Sequence, residues 1–88
     1  MANLYLVDKR AGELALDIAK NDPGAKVVLI QDGVYLNAQA ASAAGVQVFA
    51  VKRDMEKRGL AEKPGVSKVI DYPELVDLIV QHKVVNFA

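Results

Sequence analysis

The strongest constraint on this chain is a strict alternation of two kinds of segment. Strand-like runs, at Leu4–Val7, Val27–Ile30, Val46–Val51 and Ser67–Ile70, the first two wholly apolar, are separated by stretches whose apolar residues recur at helical spacing. An unbroken apolar run, without polar residues at every second position, suits a strand covered on both faces. Strands that alternate with helices are joined by crossovers and therefore pair in parallel. The expected fold is a three-layer α/β/α arrangement around a small, mainly parallel sheet of four to five strands. Residues 1–88 are expected to form one domain, because the chain is too short for two. Val84–Phe87 supplies the candidate fifth strand.

Each connection carries its own punctuation. Ala11, Leu14, Ala15 and Ile18 fall at i, i+3, i+4 and i+7, which predicts a helix with that stripe buried. Asn21-Asp22-Pro23-Gly24 stops it, with Gly24 free to take the positive φ of a type II turn. Gln31-Asp32-Gly33 leads into a second helix, Val34–Ala44, closed by Gly45. Asp54 is placed to cap a short helix, Met55–Arg58, ended by Gly59, with Leu60 folding back onto it. Lys63-Pro64-Gly65 reads as a loop. Asp71-Tyr72-Pro73-Glu74 opens the last helix as a capping box with proline in its first turn, and Tyr72, Leu75, Val76 and Ile79 are its expected buried stripe.

Composition removes several function classes. The sequence contains no cysteine, so disulfides, thiolate nucleophiles and thiolate metal sites are all absent. That composition is compatible with a reducing cytoplasm, the expected location. Met1–Val7 has neither the basic start nor the long apolar core of a leader peptide, and no membrane segment is expected. Eleven basic residues balance eleven acidic ones. The densest basic group, Lys52-Arg53 and Lys57-Arg58, is interrupted by Asp54 and Glu56, so direct nucleic-acid binding is not expected. The hydrophobic fraction of 52% exceeds what a chain of 88 residues normally hides. A core this small buries only about two thirds of the unfolded surface. Apolar surface is therefore expected to be covered by another subunit.

Parallel sheets present ligand or partner sites beyond the carboxyl ends of their strands. An aspartate follows each apolar run here: Asp8, Asp32, Asp54 and Asp71. Each also stands where a short acceptor caps a helix start, the reading preferred for all four. Asp8, Asp32 and Asp54, with Gly33 at the second turn, form the candidate rim. A magnesium-dependent phosphoacceptor reading fails, because the sequence has no threonine and Ser42 and Ser67 are misplaced for the hydroxyl role. His82, the single histidine, lies near the end of the last helix without an orienting acid or a nucleophile. No glycine-rich phosphate loop occurs. No catalytic residue, metal site or cofactor is expected.

The most informative absence is charge. Nothing from Gly33 to Val51 is charged, although the span should contain a whole helix. A helix covering one face of a sheet normally carries charge on its outer side. Helical spacing places Asn37, Ala40, Ala41 and Ala44 together, and small neutral residues there would let another backbone approach. An alanine-rich surface helix is the plainer alternative. A subunit interface is the reading adopted here.

The motifs together resemble one family. Gln31-Asp32-Gly33-Val34-Tyr35 is similar to the D-G-V/I turn of the TusB/DsrH family. Val48–Val51, Asp54 and Arg58-Gly59-Leu60 resemble its third strand and aspartate-to-R-G segment. Val69-Ile70-Asp71-Tyr72 with Val76-Asp77-Leu78 resembles its closing D-Y and helix, and Phe87 stands where many members end in an aromatic. The resemblance implies assembly with related subunits of the TusC/TusD or DsrE/DsrF kind. Those complexes pass sulfur as a persulfide, toward 2-thiouridine in tRNA or in sulfur oxidation, on a cysteine of the TusD/DsrE-type partner. Some members carry a cysteine in the first helix; Ala11–Lys20 has none. The implied role is a cysteine-free partner subunit. A stand-alone homo-oligomer, such as a homodimer, binding a small molecule at the rim is the alternative, and an independent enzyme the least supported.

Overall fold

The computed structural model describes residues 2–60 and 65–88. Lys63 and Pro64 of the expected loop lie outside the described residues. Five strands, β1 (Asn3–Val7), β2 (Lys26–Leu29), β3 (Gln47–Val51), β4 (Lys68–Ile70) and β5 (Lys83–Phe87), form one sheet. Its order is β4-β3-β2-β1-β5, with every neighbouring pair parallel. The helices are α1 (Gly12–Lys20), α2 (Gln39–Ala43), α3 (Lys52–Lys57) and α4 (Tyr72–Gln81). The three-layer α/β/α architecture expected from the alternation is the one observed.

Strand order decides which face each helix covers. From β1 to β4 the chain steps across the sheet in one direction, so right-handed crossovers place α1, α2 and α3 on one face. The last connection returns past three strands to set β5 beside β1, which sends α4 to the opposite face. The first face buries Tyr5, Val7, Val27, Leu29, Val48 and Ala50 of the sheet against Ala15, Leu16, Ala19, Val34, Ala41 and Met55. The second face buries only Leu4, Val28, Val51 and Ile70, with Leu75 and Leu78 of α4 packed over them.

Three expectations about helices need correction. In α1 the buried residues are Gly12, Ala15, Leu16 and Ala19, while Leu14 and Ile18 are exposed. Leu16 and three small residues, not Leu14 and Ile18, are buried. The single helix Val34–Ala44 is instead a 3-10 segment, Gln31–Tyr35, and the short α2, separated by an extended Leu36. Leu36 lies against Gly12, where an added Cβ would meet its Cδ1. The side-chain carboxamide of Asn37 accepts from the Gln39 amide at 3.0 Å, a local bond that competes with a continuous helix. In α4 none of Tyr72, Leu75, Val76 and Ile79 is buried; Leu75 is half-buried, and Tyr72, Val76 and Ile79 are exposed.

The punctuation holds at other points. Gly24 and Gly45 have φ of +79° and +93°. Behind Gly45, the Val46 amide donates to the Ala41 carbonyl and the Gly45 amide to Ser42, a Schellman closure. Asp71 caps α4, its carboxylate accepting from the Glu74 amide at 3.0 Å. Glu74 does not complete the box, because it pairs with the Lys68 ammonium at 2.7 Å. His82 ends α4 with Nδ1 2.7 Å from the Leu78 carbonyl oxygen, a structural placement.

At the amino ends of the strands, the Tyr5 hydroxyl and the Asn3 amide both donate to the same Asp22 carboxylate oxygen, at 2.7 and 2.8 Å. The Tyr5 bond, then the Asn3 bond, holds the Asp22 carboxyl below its ordinary value. The same bond, with burial, pushes the Tyr5 hydroxyl up. A lowered carboxyl stabilises the fold above the ordinary carboxylate range, and that contribution is lost as pH falls through the lowered value. A raised phenol acts oppositely: its contribution is present below about pH 10 and is lost as pH rises through the raised value. Tyr5→Phe is therefore expected to flatten both flanks of a plot of urea midpoint against pH. Flanks unchanged from wild type would show that the Tyr5–Asp22 bond does not contribute.

Candidate functional site

At the carboxyl ends of the strands the structure separates the four aspartates. Among the described residues no three carboxylates or imidazoles gather closely enough to hold a metal ion. Asp8 accepts from the adjacent Lys9 amide at 2.7 Å and begins a 3-10 turn. Asp71 caps α4. Asp32 and Asp54, by contrast, are brought together by a residue outside the candidate rim, Arg58.

Asp54 does not cap α3, which is a correction to the sequence reading. The helix begins at Lys52, and Asp54 lies within its first turn, turned inward and only 7% exposed. One carboxylate oxygen accepts from the Gln31 amide at 2.9 Å. Gln31 has φ of +49°, the only non-glycine residue with positive φ among those described. A side chain in this region costs about 1–2 kcal/mol. A buried carboxylate that satisfies the amide of the same residue offsets part of that strain.

Arg58 closes the network. Its Nε donates to Asp32 Oδ1 at 2.9 Å, and its Nη1 donates to the Asp54 carbonyl oxygen at 3.0 Å. Nη1 also lies 3.9 Å from the Asp54 carboxylate. The Asp32 bond raises the already high pKa of the guanidinium, which stays charged. The guanidinium therefore ties Asp32 to the helix that carries Asp54. Gly33 serves a different contact: a Cβ there would sit 2.2 Å from the Val7 carbonyl oxygen and 3.1 Å from Asp8 Cα. Its importance is close approach to β1, without a positive φ. It brings the turn after β2 against the end of β1, beside Asp8.

This network lines one side of a cleft of about 440 Å³, formed by Ile30, Gln31, Asp32, Asp54, Lys57, Arg58, Tyr72 and Leu75. The cleft lies where α3 leaves β3 toward one face and α4 leaves β4 toward the other. Such a switch point is where open parallel sheets present their sites. Asp8 is not part of it. The sequence places Gln31, Arg58 and Tyr72 in motifs without marking them as site residues. Arg58 at i+4 from Asp54 was the one legible signal, since that spacing places the two on one helix face.

The second candidate surface also divides. Ala41 is 1% exposed and packs into the core beside Val34 and Ala38. Asn37, Ala40 and Ala44 are exposed, with Asn37 outside α2 altogether. The four residues do not share an outer face, because Leu36 and Asn37 break the helix that would have aligned them.

Two substitutions test the network. Asp54→Ala leaves a strained amide without its acceptor and is expected to cost about 1–3 kcal/mol in urea denaturation. Asp32→Asn, at an exposed ion pair, is expected to cost less than about 1 kcal/mol. Equal losses would mean that Arg58, and not the Asp54–Gln31 bond, holds the turn.

Comparison with known proteins follows the geometry. In fold, the chain is similar to the crystal structure of the ychN protein from E. coli, with a TM-score of 0.75 and 18% identity over 99% of both chains. At that identity the likeness speaks to fold alone. No curated protein matches the chain. A family model described as DsrH like protein matches residues 10–85, which take in the D-G turn, the Asp54–Leu60 segment and the closing D-Y. On that match the chain belongs to the DsrH-like family.

Proposed function

We propose that this chain is a cysteine-free partner subunit of a sulfur-relay complex, assembling with related α/β subunits of the DsrE/DsrF or TusC/TusD kind. The observation that carries the reading is a DsrH-like chain without a cysteine whose rim carboxylates are engaged in a structural network. Such a rim has no group that can accept a persulfide. Its contribution is to bind and orient a subunit that can, working in the cytoplasm toward tRNA thiolation or sulfur oxidation. The exposed Asn37, Ala40 and Ala44 are uncharged, and they border Glu13, Asp17 and Lys20 of α1, a small neutral patch with a charged rim that supports assembly.

A second reading rests on the cleft at the switch point. A homo-oligomer binding a small molecule between Gln31, Lys57 and Tyr72 would use the same fold without a relay partner. The two readings separate on Gln31→Gly. Glycine relieves the positive φ and costs chain entropy, so stability should change by less than about 1 kcal/mol. Loss of a bound metabolite with the fold intact would favour the second reading.

The relay reading is tested by co-expressing the chain with cysteine-bearing proteins of the same fold from its own genome. Co-purification in a fixed ratio, with sulfur label recovered on the cysteine-bearing subunit alone, is the expected result. A genome without such a protein, or failure of every candidate to associate, overturns it.

A further inference from the structure

Asp54 is the one charged side chain buried among the described residues, at 7% exposure, and the fold uses only half of its carboxylate. Oδ2 accepts from the Gln31 amide at 2.9 Å. Oδ1 lies 3.9 Å from Arg58 Nη1, beyond hydrogen-bond distance. Among the described residues no buried side-chain polar atom is left without a partner, so Oδ1 opens onto the cleft that Asp54 lines. A carboxylate oxygen on a largely desolvated wall attracts a cation more strongly than one in water.

Three residues further along α3 stands Lys57, exposed and lining the same cleft. Among the described residues its ammonium pairs with no carboxylate. Arg58 is committed to Asp32 and to the Asp54 carbonyl, so the Asp32–Arg58 pair cancels itself. One negative and one positive pole are left to a ligand. Residues three apart on a helix are neighbours, with Cβ atoms about 5–6 Å apart. Beside the two poles lie the half-buried Ile30 and Leu75 and the Tyr72 ring, which is 46% exposed.

We propose that this cleft binds a small zwitterion, an α-amino acid with an apolar side chain, its ammonium on Asp54 Oδ1 and its carboxylate on Lys57. The inference rests on the second reading above, a small molecule in this cleft, and is independent of the relay reading. Charge and spacing select the class. A phosphate dianion paired with Lys57 meets the Asp54 carboxylate, and a polyamine paired with Asp54 meets the Lys57 ammonium. An α-amino acid carries both charges on one carbon, which suits two poles one helical turn apart. Its side chain then lies on Ile30, Leu75 and Tyr72, and a volume of about 440 Å³ is that of a small-molecule site. Gln31 adds a supporting observation: its φ of +49° is fixed by the same Asp54 carboxylate, and such outliers gather at ligand sites.

The test titrates the full chain with L-leucine and follows backbone amides by two-dimensional NMR. Two analogues run beside it: isocaproate, which lacks the ammonium, and isopentylamine, which lacks the carboxylate. L-leucine is expected to give saturable shifts at residues 30–32, 54–58 and 72–75. Each analogue should bind at least about 10-fold more weakly, the loss of one charge-assisted bond. Lys57→Gln is expected to weaken leucine by the same factor and to leave isopentylamine unchanged. Asp54→Asn keeps an oxygen for the Gln31 amide and is expected to weaken leucine and isopentylamine but not isocaproate. Lys57→Gln, at an exposed position, carries the test should Asp54→Asn fail to fold. An analogue that binds these residues as tightly as leucine overturns the zwitterion and leaves the cleft reading standing. Leucine affinity unchanged in Lys57→Gln overturns it as well. Absence of shifts with all three probes also overturns the proposal, and the cleft reading falls with it only if the purified chain carries no bound metabolite.

Discussion

A parallel sheet must be covered on both faces, and this chain has helix enough for little more than one. Parallel strands are joined by crossovers, and the direction of travel across the sheet decides which face each crossover covers. Three consecutive steps from β1 to β4 commit α1, α2 and α3 to one side. The other side receives the single helix that returns the chain to β5. The first face becomes a dry core built largely of small residues. The second keeps a narrow core under Leu75 and Leu78 and an apolar flank in water. The excess of hydrophobic side chain is a consequence of this topology.

The same reversal creates the cleft. The chain changes faces after β4, so the starts of α3 and α4 diverge and leave a gap at the carboxyl ends of β3 and β4. The walls of that gap are set by Asp54, buried to accept from Gln31, and by Arg58, which ties Asp32 to α3. These bonds tie Asp32 and Asp54 into the wall of the cleft. Among the described residues no buried side-chain polar atom lacks a partner. A rim so satisfied holds shape, which suits a subunit that acts by association.

What was legible in the sequence follows from what each signal measures. Strands were legible because burial on both faces removes polar residues from the whole run, as in Val27–Leu29. Glycine and proline turns were legible because their backbone requirements are local, as at Gly24 and Gly45. Helix faces were not. In α1 Leu14 and Ile18 point outward while Ala15, Leu16 and Ala19 enter the core and Gly12 makes room for Leu36, because close packing there decides which volumes fit. The break at Leu36 depends on a cavity over Gly12, a residue distant in sequence. Asp54 could be placed after its strand, but its inward turn depends on Gln31, twenty-three residues away. Contacts between elements decide these features, and composition along one element does not report them.

The central proposal is that this chain acts in an assembly that covers its open face. Amide hydrogen exchange in α4 reads that covering most directly, followed against protein concentration and in the presence of a cysteine-bearing subunit of the same fold. The account predicts that amides of Tyr72–Gln81 slow on assembly while those of the α1 outer surface do not. Exchange in α4 that stays at one rate at every concentration and with every such subunit would contradict it.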